Sequence, residues 1–332
     1  MQYTYNWNVY PVFTLQPVRA AGYTSAVSDT TPTPNVPLTR FLGPRYWPVW
    51  LGLGFMRLSS WLPYRGLMLI GRLLGRLAYY AIPKRRRIAE RNIAKCFADL
   101  SEQEQARLVK EHLQSIGTAL MEISLAWWGS EKRLRELTEL VGLEHLQAAQ
   151  ARGCGVVLLA GHFTTIEIGG VLLTRHAEFD AMYRKFENPL FEEVMRRKRE
   201  RWARRVIKRG DFRQMLRSLK EGRTVLYMPD QAYVRKGHVL APFFGHPAPT
   251  NTGTERLTRN TGAQVVPFLP VRKADGSGYR IMLFPALDDF PGDNSLANAT
   301  RINQVFEAHV LEAPEQYLWM HRRFKDQPGF YD

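Results

Sequence analysis

The chain has 332 residues, 45% of them hydrophobic, which is enough apolar material for one large or two modest folded domains. Its formal charge of +15 indicates an anionic partner, but charge alone does not choose among nucleic acid, an acidic membrane surface and an acidic protein or phosphorylated substrate. The two cysteines give neither a disulfide framework nor zinc-ligand spacing, so no metal is expected and a reducing compartment fits best.

The amino-terminal part of the chain divides at about residue 40. Residues 1–40 are rich in Thr, Pro, Ser and Asn without sustained periodicity, and we expect them to form a mobile extension. Residues 41–83 are apolar and aromatic, are interrupted by arginines and precede the basic run 84–87, which is typical of a membrane-anchoring helical segment. This segment could be one tilted helix, a hairpin lying in the interface, or a helical pair packed on the rest of the fold.

A long helix is predicted after Ser101, because Ser101 and Glu104 have the spacing of a capping box. Apolar residues then recur every three or four positions up to residue 128, which indicates one buried face. His112 lies on this face and is expected to be a packing histidine rather than a ligand.

Beyond residue 150, short apolar runs alternate with helical stretches, which predicts an α/β fold with a mixed, largely parallel central sheet covered by helices. The predicted strands are residues 156–160, 181–183, 224–228, 264–269 and 279–284. The predicted helices are residues 166–174, 190–205, 212–220, 252–261 and 296–311.

The segment 156–170, VVLLAGHFTTIEIGG, places His162 at the carboxyl end of a buried strand and Glu167 five residues later. Chemistry in α/β proteins is usually done at that edge of the sheet. A carboxylate on the first turn of the next helix could accept the hydrogen of one ring nitrogen, so that the other nitrogen can act as a base. On spacing alone, His162 could instead cap the helix and Glu167 could pair with a basic residue.

Polar residues follow two further predicted strands. Arg184 could bind a phosphate or a developing oxyanion, or be an ordinary surface arginine. Asp230 lies on the same sheet edge as His162 if the strands are parallel, although an Asp after proline also forms turns. Thr252 and Glu255 have the spacing of a second capping box, at a helix start that could bind phosphate.

Two basic stretches could meet anions. The stretch 196–209 carries charge on most helical faces, so part of it must meet solvent or an anionic partner. The stretch 319–325, WMHRRFK, suits phosphates or a lipid headgroup surface. No Walker loop, dinucleotide fingerprint, serine-hydrolase elbow or zinc-protease motif occurs, and no DNA- or RNA-binding module is visible, so nucleic acid is not an expected partner.

Taken together, these stretches resemble the late acyltransferases of lipid A biosynthesis, the lauroyl and myristoyl transferase family of Gram-negative bacteria, over about residues 40–326. The matching segments are residues 43–47 (GPRYW), 50–52 (WLG), 91–92 (RN), 96–97 (CF), 161–162 (GH) with Glu167, 183–184 (YR), 188–190 (NPL), 229–230 (PD), 252–254 (TGT), 266–268 (VPF) and 314–325 (PEQYLWMHRRFK).

The resemblance implies a glycerolipid-acyltransferase α/β fold in residues 84–326 and no cofactor. It implies transfer of a fatty acyl chain from acyl carrier protein to the hydroxyl of a hydroxyacyl chain on a Kdo-bearing lipid A precursor. The reaction would occur at the cytoplasmic face of the inner membrane, in contact with its lipids. A related acyltransferase that uses a glycerolipid, glycolipid or ornithine lipid stays an alternative, as does a basic membrane-associated binding protein without catalysis.

Within that reaction, His162 is expected to deprotonate the acceptor hydroxyl, and Glu167 is expected to orient the imidazole of His162. The alkoxide would then attack the thioester directly, and no covalent acyl-enzyme would form. Arg184 would stabilise negative charge or hold a phosphate, and Asp230 would shape the pocket or the network behind it. The residues expected to bind the lipid substrate are Asn188, Thr250, Thr252, Arg322 and Arg323. The residues expected to bind the acidic carrier protein are Arg197, Arg201 and Arg204.

Overall fold

The computed structural model describes residues 35–183, 185–232 and 237–332. The strands within these ranges are β1 (Thr138–Val141), β2 (Val156–Ala160), β3 (Asp180–Tyr183), β4 (Val206–Lys208), β5 (Thr224–Tyr227), β6 (His238–Phe243), β7 (His246–Asn251), β8 (Gln264–Arg272) and β9 (Tyr279–Leu283). The helices are α1 (Trp47–Ser59), α2 (Tyr64–Ala81), α3 (Pro83–Cys96), α4 (Glu102–Trp128), α5 (Glu131–Glu136), α6 (Leu143–Ala151), α7 (Ile166–Leu173), α8 (Pro189–Arg199), α9 (Phe212–Lys220), α10 (Gly253–Thr261) and α11 (Ser295–Glu312).

The central sheet has the strand order β1-β9-β8-β2-β5-β3-β4. Strands β8, β2, β5, β3 and β4 are parallel to one another, whereas β9 is antiparallel to β8 and β1 is parallel to β9. The mixed, largely parallel sheet predicted from the sequence is therefore confirmed. All five residues of β2 are buried, as expected for a parallel strand covered by helices on both faces.

Some predicted boundaries are wrong. The helix predicted over residues 190–205 ends at Arg199, because the chain turns there to pair β4 with β3. In that turn the backbone amide of Arg204 donates to the carbonyl of Phe179. Strands β1 and β4 have four and three residues and mix polar with apolar side chains, and β6 and β7 form a separate hairpin containing prolines, so none of them gave a clear pattern.

Helix α4 is the support on which the amino-terminal helices pack. It begins with the predicted capping box, in which Ser101 and Glu104 each accept a hydrogen bond from the other's backbone amide. Helix α2 approaches it closely because Gly71 and Gly75 face Gly117, and a Cβ added at any of the three would overlap backbone atoms of the other helix. Glycines are required here by the short distance between the helix axes.

The opposite face of α2 is exposed. Leu69, Leu73 and Leu77, which we call the outer stripe, recur every four residues and are 52%, 46% and 66% exposed. No helix in the described ranges has both the length and the apolar character needed to cross a membrane.

Most of the predicted mobile extension, residues 1–34, lies outside the described residues. The part that is described contacts α8: the backbone amide of Val36 donates to Glu193, and Arg197 donates to the carbonyl of Val36. Residues 35–37 are thus attached to the fold, and the short 3-10 helix Leu38–Phe41 follows them.

Candidate active site

His162 and Asp230 meet at the carboxyl ends of the neighbouring parallel strands β2 and β5. The imidazole Nδ1 lies 2.5 Å from Asp230 Oδ1, and the backbone amide of His162 donates to Asp230 Oδ2 at 2.8 Å. Burial alone would raise the pKa of Asp230, but the charge and two hydrogen bonds of His162 hold it below its ordinary value. An ionised carboxylate only accepts hydrogen bonds, so Nδ1 carries the proton and Nε2 is left as the basic nitrogen.

Glu167 does not hold this imidazole, and that part of the prediction is wrong. Its carboxylate on the first turn of α7 accepts hydrogen bonds from Arg199 at 2.6 and 3.2 Å and lies 3.4 Å from the indole nitrogen of Trp127. Asp230 reaches Nδ1 directly from the adjacent strand, while the first turn of α7 directs Glu167 towards α8 and α4. No sequence pattern separates Arg199 from the other basic residues of 196–209.

The segment 316–321 fastens both loops that carry the pair. On the His162 side, the backbone amide of Leu318 donates to the carbonyl of His162 at 2.9 Å. On the Asp230 side, the backbone amide of Ala232 donates to His321 Nε2 at 3.0 Å. Burial lowers the pKa of His321 to about 4, so this nitrogen remains an acceptor at neutral pH. Asn92 in turn donates to the carbonyl of His321, which ties the segment to α3.

His162 lines a cavity of about 750 Å³ at the carboxyl ends of β2, β3, β4 and β5. Much of the wall is apolar or aromatic, and three cations lie on it. Among the described lining residues there is no Asp, Glu, Ser, Thr or Cys. The side chains on the wall include His162, Met182, Tyr183, Arg209, Phe212, Met215, Tyr227, Met228, Arg256 and Lys325.

The family model for bacterial lipid A biosynthesis acyltransferases matches residues 37–326. The chain belongs to this family. It is 38% identical over 291 residues to the lipid A biosynthesis lauroyltransferase of Escherichia coli, covering 87% of this chain and 95% of that one. The corresponding values for the palmitoleoyltransferase of Escherichia coli are 39% over 289 residues, 87% and 94%. For a lipid A biosynthesis acyltransferase of Haemophilus influenzae they are 36% over 292 residues, 87% and 93%.

The predicted late lipid A acyltransferase is thereby confirmed at the level of family and reaction class. The two Escherichia coli relatives are named for different acyl groups and are almost equally similar to this chain. Overall identity therefore does not choose the acyl chain that this acyltransferase moves.

Two residues expected to bind the lipid substrate are used inside this acyltransferase instead. Arg323 is 3% exposed and donates to the carbonyl of Pro249, to Thr250 Oγ1 and to Asn303 Oδ1 at 2.6, 3.0 and 3.1 Å. Thr250 is 1% exposed and is bonded within the same network. A buried guanidinium must be given acceptors, so the prediction for Arg323 and Thr250 is corrected to a structural role.

Asn188 and Thr252 also have local partners. Asn188 caps α8 by accepting from the backbone amides of residues 190 and 191, both at 3.1 Å. The second capping box is wrong: the hydroxyl of Thr252 donates to the carbonyl of Gly237, and Asn251 accepts the amide of Gly253. Glu255 instead pairs with Arg259.

Two other predicted contacts with the substrate stay predictions. Arg322 is exposed, with its guanidinium 5.6 Å from the ring centre of Tyr331. Arg184 lies outside the described residues.

The arginines expected to bind the carrier protein are largely paired. Arg197 donates to Glu193 at 2.7 Å, and Arg204 donates to Glu178 at 2.6 Å. Arg201 is exposed. Because neighbouring carboxylates neutralise two of the three charges, this surface is less positive than the sequence indicated. No group of three or more His, Cys, Asp or Glu that could hold a metal ion occurs in the part of the chain that is described.

Proposed function

We propose that this acyltransferase moves a fatty acyl group from the thioester of an acyl carrier protein to the hydroxyl of a hydroxyacyl chain on a Kdo-bearing lipid A precursor. The observation that carries the proposal is the 2.5 Å contact between His162 Nδ1 and Asp230 in the wall of the 750 Å³ cavity. A histidine whose second nitrogen is held by a buried carboxylate is suited to act as a general base.

In the proposed reaction, Nε2 of His162 takes the proton of the acceptor hydroxyl as its oxygen attacks the thioester carbonyl. A carbon–oxygen bond forms, the carbon–sulfur bond breaks, and the imidazolium returns the proton to the leaving thiolate. Asp230 keeps the ring in the required tautomer and stabilises its transient positive charge, because its carboxylate is 2% exposed and already bonded to Nδ1.

The acyl group is transferred directly in this proposal, without an acyl-enzyme. Its support is the absence of Ser, Thr and Cys from the described residues that line the cavity. Burial raises the pKa of Cys96, which leaves this thiol a poor nucleophile.

Glu167 acts in the proposal as a positioning residue. Its side chain and that of Arg199 are 11% and 19% exposed, and the pair joins the first turn of α7 to α8. Helix α7 begins four residues after His162, so this ion pair restrains the loop between them. Its expected contribution is to the arrangement of the site rather than to the proton transfer.

The outer stripe is proposed to contact the cytoplasmic face of the inner membrane. Exposed apolar groups at Leu51, Leu58 and Trp61 of the preceding segment add to it, with 75%, 60% and 67% of their surface exposed. Arg65, Arg72 and the basic run 84–87 lie beside these residues in the sequence and would favour anionic headgroups.

The test is an assay of the purified protein with an acyl carrier protein thioester and either a Kdo-bearing lipid A precursor or a lysophospholipid as acceptor. The expected product is the acylated lipid A precursor, identified by mass spectrometry, and its formation should require His162. Transfer only to the lysophospholipid, or full activity in His162→Ala, would disprove the proposal.

A further inference from the structure

Three cations on the wall of the cavity have no place in the proposed proton transfer. Arg209 follows β4, Arg256 lies on α10 and Lys325 follows the segment 316–321, so three distant parts of the chain bring positive charge to one space. No Asp or Glu is found among the described residues of the same wall. The cavity is therefore electrostatically suited to an anion.

The sheet order places one of these cations, Arg209, at a distance from His162. His162 follows β2 and Arg209 follows β4, and β5 and β3 lie between these two strands. Three strand spacings of about 4.8 Å separate the two strand ends by roughly 14 Å. A ligand that meets both must be long.

The two arginines are held in place by neighbouring groups. The backbone amide of Arg209 donates to the carbonyl of Tyr183 at 2.7 Å, which fixes the turn after β4. The guanidinium of Arg256 lies 4.6 Å from the ring centre of Phe212, another lining residue. Cation–π contact limits the motion of the guanidinium without supplying a counter-charge.

The wall also includes Met182, Met215 and Met228. Methionine side chains adapt to flexible ligands through their rotatable thioethers. The cavity thus combines an adaptable apolar surface with the basic His162 and a group of cations, which suits a flexible chain that ends in an anion.

We propose that Arg209 and Arg256 bind the phosphate of a phosphopantetheine arm, which lies across the cavity with its thioester at His162. This inference rests on the proposed function. About thirteen bonds join phosphorus to sulfur in that arm, which is roughly 15 Å when extended. A phosphate on the sugar carbon next to the acylated one is only about eight bonds, or roughly 9 Å, from the acceptor hydroxyl. The span of the cavity therefore fits the donor better than the acceptor.

The experiment compares two donors that differ only in this phosphate, acyl-4′-phosphopantetheine and acyl-pantetheine. The wild-type enzyme should show a KM at least about tenfold lower for the phosphorylated donor, because its phosphate gains charge-assisted hydrogen bonds. In Arg209→Gln/Arg256→Gln this preference should disappear, because the KM for the phosphorylated donor should rise to that for acyl-pantetheine. The control is Arg213→Gln/Arg217→Gln, which removes the same charge from exposed positions of α9 and should keep the preference.

Equal KM values for the two donors in the wild-type enzyme, or a preference that survives in the double variant, would overturn the assignment. The assignment would also be overturned if the double variant instead lost its discrimination between phosphorylated and dephosphorylated lipid acceptors. In that case the two arginines would bind the phosphate of the acceptor. Calorimetric titration with unacylated 4′-phosphopantetheine and pantetheine needs no turnover. Stronger binding of the former, lost in the double variant, would uphold the subsite even if the lipid acceptor were misassigned.

Discussion

Replacing Asp230 with asparagine tests the central contact of the site with little change in side-chain size. Asp230 accepts two hydrogen bonds from His162, at 2.5 Å from Nδ1 and at 2.8 Å from the backbone amide. An asparagine oxygen can still accept one of them, but its amide group cannot accept from Nδ1. Loss of one hydrogen bond to a buried charge costs about 1.5–3 kcal/mol, or roughly 10–100-fold in kcat.

The loss is larger if the asparagine amide donates to the imidazole. Nδ1 would then be the acceptor, Nε2 would carry the hydrogen, and the base would face the acceptor in the wrong tautomer. The comparable exchange in serine proteases lowers kcat by about 10⁴. We therefore expect kcat to fall between about 10- and 10⁴-fold, with little change in KM for the lipid acceptor.

The assay is initial-rate acyl transfer to the lipid A precursor over a range of pH, with Glu167→Gln as the matched control. Glu167 pairs with Arg199 rather than with His162, so its loss should not change the pH at which the base titrates. A variant Asp230→Asn that keeps more than about a tenth of kcat would refute the reasoning. A shift of the acidic limb of the pH profile, where the base becomes protonated, in Glu167→Gln alone would return the orienting role to Glu167.

Three further outcomes are expected. Replacing the three leucines of the outer stripe with glutamine should weaken binding to anionic vesicles at least about tenfold in a sedimentation assay. Glutamine at Leu296 and Leu311, the two exposed leucines of α11, should leave this binding unchanged. Burial lowers the pKa of His112 to about 4, so only the unfolded state takes up this proton as the pH falls below neutral. The free energy of unfolding should therefore be highest above about pH 7 and should decrease as the pH is lowered. By pH 5 this loss is about 2 kcal/mol in urea titrations, and it should be absent from His112→Gln. Gly75→Ala should lower stability by about 1–3 kcal/mol through overlap with α4, while Gly66→Ala on the same helix, with open space around it, should raise stability slightly.

The sheet edge could be predicted because strands and their ends leave a local pattern. An apolar run that stops at a polar residue marked both His162 and Asp230, and parallel pairing of β2 with β5 then brought them together. Strand pairing is a property of the whole fold, so the sequence could place the two residues together only on the condition that their strands are parallel. Strands β2 and β5 are parallel neighbours in the structure.

The partner of each charge could not be predicted in the same way. Five residues separate His162 from Glu167, but the direction of a side chain on the first turn of a helix depends on where that helix packs. The same limit explains why Arg323 looked like a phosphate ligand although it is buried in a network of carbonyl and hydroxyl acceptors. Charge runs show how many cations a segment has and leave their acceptors unspecified.

The fastening of both site loops by residues 316–321 also has a consequence for biogenesis. Every strand of the sheet precedes this segment in the chain, and the contacts of Leu318 with His162 and of His321 with Ala232 span 156 and 89 residues. A nascent polypeptide can therefore assemble its sheet on the ribosome well before the base and its carboxylate are locked in position. Catalytic competence is expected to arise only after residues 316–321 have been made and have packed against both loops.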